Sequence, residues 1–84
     1  MILFSFKTVS GPKGLAVDKS GHLVVVDSKQ SCIFVFQPGG KLVQKFGARG
    51  SDPAKLAGPQ FVAINSLGQI IVSDFNNHAI KVNG

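Results

Sequence analysis

A chain of 84 residues with 44% hydrophobic and 15% charged residues is the size of one small domain and too apolar for an intrinsically disordered segment. Nine Lys and Arg stand against four acidic residues, all Asp, for a net charge of +5. That balance suits nucleic acid, an anionic membrane or an acidic protein and selects none of them. Cys32 is the single cysteine, which excludes an intrachain disulfide and reads as a small core residue in a reducing compartment. The opening MILFSFKTVSG lacks the basic segment and apolar length of a signal peptide, and no run approaches the ~20 apolar residues of a membrane helix. A cytoplasmic protein without a membrane partner is expected.

In chain order the first predicted element is a strand over 2–6, ILFSF. Strands follow at 15–18, 23–27, 32–36, 41–46, 61–65, 70–74 and 79–82. All are short, rich in β-branched or aromatic residues, and bounded by Gly, Pro, Asp, Asn or Ser. KSGH, SLGQ and QPGGK are the turns, with Gly supplying backbone freedom. No helix is predicted beyond a single turn in DPAKLAG, which Pro59 ends. In 15–18, 23–27 and their later counterparts apolar residues are successive rather than alternate, the pattern of a sheet covered on both faces. KLVQKF is more polar, as an outer edge strand is.

Displaced by 47 positions, the chain matches itself. Gly11-Pro12 falls on Gly58-Pro59, GLAVDKSGHLVVVD on FVAINSLGQIIVSD, Asp27 on Asp74, Ile33 on Ile80 and Val35 on Val82. ILFSF (2–6) resembles LVQKF (42–46) at a displacement of 40. Periods of 40–50 residues built from short strands indicate stacked units or propeller blades. Three parts follow: an outer strand and link (1–10), a first repeat (11–47), and a long loop with a second repeat that lacks its own outer strand (48–84).

GPKGLAVDKSGHLVVVDSKQSCIFVF and GPQFVAINSLGQIIVSDFNNHAIKV resemble NHL repeats, and the wording is nearest the NHL domains of tripartite-motif ubiquitin ligases with a filamin-type domain. The resemblance implies an all-β fold of two four-stranded blades belonging to a six-bladed β-propeller. It also implies a non-catalytic part that recognises substrate or partner proteins, since the RING carrying the ligase chemistry is not in this chain. Gln30-Ser31 stand where the second repeat has Asn77-His78, so a role of that pair is not carried over to the first repeat. Certain relatives with NHL propellers bind single-stranded RNA instead.

A repeat of this kind cannot bury its own faces. Two blades hide one face each and leave one bare face apiece. Residues Ile2, Leu3, Phe4 and Phe6 form the spare outer strand, and another copy can accept it. Head-to-tail contacts close into a ring when the rotation permits. The chain is therefore expected to form a homotrimer of six blades with exchanged N-terminal strands. The complementary ends favour a propeller fragment or a deliberately minimal repeat chain.

Asp27 and Asp74 end strands before turns and are expected to accept hydrogen bonds from the turn backbone, as are Asp18 and Asn65. His22 and His78 lie at opposite strand ends without a nucleophile or acid in reach, so catalytic, metal and cofactor residues are all expected to be none. The connections on one face carry Lys7, Lys13, Lys29, Arg49 and Lys55, with Gln60, Asn76, Asn77 and His78 beside them. Phe75 is an aromatic suited to base stacking or to packing on a neighbouring blade. That face is the expected partner surface, for protein or, alternatively, for single-stranded RNA.

Overall fold

The computed structural model describes residues 7–83, so the predicted assembly strand of Ile2, Leu3, Phe4 and Phe6 lies outside the described residues. Seven strands run in order: β1 (Pro12–Val17), β2 (Leu23–Asp27), β3 (Cys32–Phe36), β4 (Leu42–Phe46), β5 (Pro59–Ile64), β6 (Ile70–Asp74) and β7 (Ala79–Asn83). They form two antiparallel meanders, β1-β2-β3-β4 and β5-β6-β7. The fold is all-β, with four strands in one sheet and three in the other.

The inner strands begin earlier than predicted, at the Gly-Pro pairs. Pro has no N–H for the ladder and is tolerated at the first residue of a strand. In both sheets the register then shifts, between Pro12 and Gly14 and between Pro59 and Phe61. The turn predicted in DPAKLAG is present, with Lys55 N–H donating to Asp52 O at 2.9 Å. The turn expected after Asp74 takes the form of a 3-10 segment over Phe75–Asn77, closed by His78 in the left-handed region.

Alternation along the strands separates two layers of packing. Val24, Val26, Ile33 and Val35 of the first sheet meet Val62, Ile64, Ile70 and Val72 of the second, with Leu56 from the long loop between them. This is the core, and it lies between the sheets. The inner strands β1 and β5 approach closely at Gly14, where an added Cβ would stand 2.8 Å from Gln60 O. Glycine is required there because backbone of the next sheet occupies the side-chain position.

The two outward faces differ, and this corrects the expectation of one bare face on each blade. On the first sheet Val25, Cys32, Phe34 and Phe36 are buried, with Val9 and Leu23 packed against them. Phe34 and Phe36 stack at 6.0 Å, and Lys45 Nζ lies 5.5 Å from the Phe34 ring centre. Leu15 and Val17 of the inner strand remain exposed. On the second sheet the outward face is open: Phe61 and Ile80 are each 68% exposed and Val82 57%. Among the described residues no helix is long and apolar enough to cross a membrane.

Candidate functional site

Two buried carboxylates organise the loop face predicted to meet partners. Asp27 ends β2 and is fully buried. Its Oδ1 accepts the N–H groups of Gly11 (3.1 Å), Lys29 (3.0 Å) and Gln30 (2.9 Å). Its Oδ2 accepts Ser10 N–H and Gln30 Nε2–H, both at 2.8 Å. Asp74 holds the same place in the second sheet, accepting Ala57 N–H and Asn77 Nδ2–H at 2.7 Å each and pairing with Lys81 Nζ at 3.0 Å. Asp27 thus accepts from its turn backbone through Lys29 and Gln30 N–H, whereas Asp74 makes no side-chain bond to the N–H groups of its 3-10 turn and meets that turn through the Asn77 side chain. Each carboxylate also ties down the segment that leads into its inner strand.

Burial pushes both carboxyls upward, but the donors outweigh it. The Gln30 and Ser10 N–H groups, the Gln30 side chain and Gly11 N–H hold Asp27 below the usual carboxylate range. Ala57 N–H, Asn77 and the Lys81 ammonium do so for Asp74. Both sites are anions at neutral pH, fixed by neighbours rather than poised to move a proton.

Gln30 corrects the expectation that the Asn-His pair has no counterpart in the first repeat. Its amide meets Asp27 as the Asn77 amide meets Asp74. Ser31 (φ 55°) and His78 (φ 52°) both occupy the left-handed region, so the pair's next position is also shared as backbone geometry. Lys81 was missed. The signal was its place in the repeat: it falls on Phe34, inside the apolar run CIFVF, and a lysine in such a run needs an anion if its face is covered. On the opposite loop face the expected turns form as well. Asp18 Oδ1 accepts Ser20 and His22 N–H, Asn65 Oδ1 accepts Leu67 and Gln69 N–H, and His22 Nδ1 lies 3.0 Å from Asp18 Oδ2.

The basic residues fall into two groups. Lys7, Lys13 and Lys29 are exposed, and among the described residues their ammonium groups make no ion pair. Arg49 and Lys55 are exposed but engaged: Arg49 Nη2 donates to Lys29 O at 2.7 Å, and Lys55 pairs with Asp52 at 3.4 Å. The Arg49 contact brings the long loop onto the β2–β3 turn, while Gln30 Nε2 donates to Thr8 O and draws the 7–11 segment to the same turn. Asn77 also bonds Gly50 O at 3.0 Å, and Asn76 leans over Gly58, whose added Cβ would meet its Nδ2 at 2.6 Å. The Asn77 amide holds the loop, and Asn76 joins it through its backbone, N–H donating to Ala57 O at 3.0 Å.

Phe75, 62% exposed, lines a shallow groove with Gln60, Phe61, His78 and Ile80. The groove joins the loop face to the open apolar face of the second sheet. It therefore separates this group from the lysines of the first sheet: Phe75, Gln60 and His78 stand at the edge of the chain, beside whatever covers Phe61 and Ile80.

Two stacked antiparallel sheets, each opened by a Gly-Pro bulge and pinned by a buried Asp, define a β-repeat protein of the blade type. The NHL repeat profile matches residues 10–36 and 56–82, and the chain belongs to the NHL repeat family. It is similar to the human E3 ubiquitin-protein ligase NHLRC1, with 32% identity over 76 residues, which cover 89% of this chain and 19% of that relative. The chain thus spans a small part of the relative's length. Family membership makes this a protein-interaction module.

Proposed function

We propose that the chain completes itself by assembly. Three copies close head to tail into a six-bladed propeller, in which residues 1–6 of each copy add an outer strand to β7 of the copy before it. The observation that carries this is the open apolar face of the second blade, where Phe61, Ile80 and Val82 are exposed together. A contiguous patch of that kind on a small domain marks a docking surface. Among the described residues β7 is also an edge of its sheet, and an uncovered edge invites a further strand. Mass measurement in solution tests the assembly. Three times the chain mass of 8.8 kDa is expected, and a folded monomer at micromolar concentration overturns it.

The closed ring then presents a protein-recognition face, repeating Lys7, Lys13 and Lys29 around the axis. Its fitting partner is an acidic protein segment, and by analogy with the ligase relative that partner is a ligase substrate. Single-stranded RNA is the competing ligand, supported by the exposed cations Lys7, Lys13 and Lys29 and, apart from them at the edge of the second sheet, by the exposed Phe75 ring as a stacking surface. Titration of an acidic peptide and of a single-stranded RNA against salt distinguishes the two. Lys29→Glu weakens whichever ligand uses the face, and unchanged affinity for both removes it as the binding surface.

A further inference from the structure

The seam inside the chain shows how near two inner strands come. A Cβ added to Gly14 would lie 2.8 Å from Gln60 O and 3.4 Å from Phe61 Cα, so even a methyl group is excluded between β1 and β5. In the second repeat the position matching Gly14 is Phe61. Its side chain points away from the first blade, on the open face, and is 68% exposed. At a seam between copies made by the same rotation, Phe61 would take the place of Gly14. Lys13 and Gly14 of the next copy would take the places of Gln60 and Phe61. A benzyl group cannot enter a gap that excludes a methyl.

We infer that the seam between copies is wider than the seam within a chain, and that Phe61 fills it by packing against Gly14 and Leu15 of the next copy. The inference rests on the assembly proposed above. Leu15 supplies the matching surface. It pairs with Val25 across the sheet, so it faces away from the second blade, and it is 61% exposed. The groove between Phe61, Phe75 and Ile80 extends the contact from the axis towards the loop face. The ring would then have threefold and not sixfold spacing, with narrow seams inside chains alternating with wide ones between them.

Two measurements test this. In a Cys32→Ala background, one copy carries Phe61→Cys and another Leu15→Cys. The two are mixed and treated with a short bis-maleimide. Covalent pairs containing one of each are expected on a denaturing gel. Assembly of the mixture without such pairs overturns the inference and leaves the assembly standing, whereas a monomeric mass for the native chain overturns both. Separately, Phe61→Ala is expected to weaken association at least ~30-fold, as truncating a buried aromatic anchor does, with strand content unchanged by circular dichroism. Leu67→Ala, in the exposed SLGQ turn, leaves association as it is. Loss of assembly in Phe61→Cys agrees with the same outcome, and tight association of Phe61→Ala overturns the inference.

Discussion

Asp27→Asn is the most informative substitution because it keeps shape and changes one oxygen. The native carboxylate accepts five hydrogen bonds, three at Oδ1 and two at Oδ2. An asparagine whose oxygen takes the Oδ1 place retains Gly11, Lys29 and Gln30. Its amide then faces Ser10 N–H and Gln30 Nε2–H, which are both donors. Two bonds to a charged acceptor are lost, each contributing about 1.5–3 kcal/mol. The expected loss of stability is about 3–6 kcal/mol. At roughly 4–8 °C per kcal/mol for a domain of this size, the midpoint falls by more than about 12 °C. Thermal and urea denaturation should be compared at one protein concentration, because assembly adds a concentration-dependent term. Ser28→Ala removes the 3.4 Å bond to Gly11 O from the same turn and should cost under about 0.5 kcal/mol. A loss below about 1 kcal/mol for Asp27→Asn would refute the role of Asp27 as the hub of this face.

Three other outcomes follow from the same geometry. Because Asp27 and Asp74 have folded pKa values below the usual one, their contribution is complete above the unfolded value near ~3.9 and is lost as pH falls through the lower folded value. Acid unfolding is thus expected below about pH 4, and urea midpoints of native chain and Asp27→Asn should converge as pH is lowered from about 6 to about 3. Gly14→Ala forces backbone apart at the internal seam and is expected to cost about 1–3 kcal/mol in urea denaturation. Gly39→Ala, with no neighbour within 4 Å, stays within about 0.5 kcal/mol of native. Lys81→Met leaves the buried Asp74 carboxylate without its cation and frees the carbonyls of Asp52 and Lys55 that Lys81 also holds. A loss of about 2–4 kcal/mol is expected, with faster tryptic cleavage at Arg49 and Lys55.

Most strands were legible because their signals are local. LVVVD and CIFVF are runs of apolar residues closed by Asp or Gln, and each became a strand with the predicted bounds. The donors to Asp27 were less legible, since Ser10 and Gly11 lie 17 and 16 residues away and come near only once the bulge at Pro12 has turned the chain. Gln30 escaped notice for a chemical reason. Glutamine and asparagine differ in length, and a residue-by-residue comparison scores them as different where the carboxylate sees one amide N–H. The burial of Val25, Phe34 and Phe36 was illegible for another reason. Phe34 in one repeat and Lys81 in the other both sit in a strand of the same period, and periodicity says that a face exists without saying what covers it.

The two repeats agree where geometry is dictated from within a blade and differ where a neighbour dictates it. The Gly-Pro bulge, the Asp hub, its amide and the left-handed residue after it recur because each closes a turn of its own sheet. Gly14 against Phe61, Val26 against Ser73 and Phe34 against Lys81 all point out of the sheet towards an adjoining layer. Gly14 and Val26 belong to the face that meets the second blade, and Phe61 and Ser73 to the face that would meet another copy. Lys81 faces inward, where the long loop and Asp74 replace the aromatic packing around Phe34. A chain of two identical repeats would make every seam alike and could stop at any number of blades. In the proposed ring, divergence at Gly14 and Val26 against Phe61 and Ser73 would make the seams unequal, so that the second blade of one copy would fit the first blade of the next better than another second blade. Directional closure of the proposed ring follows from that inequality.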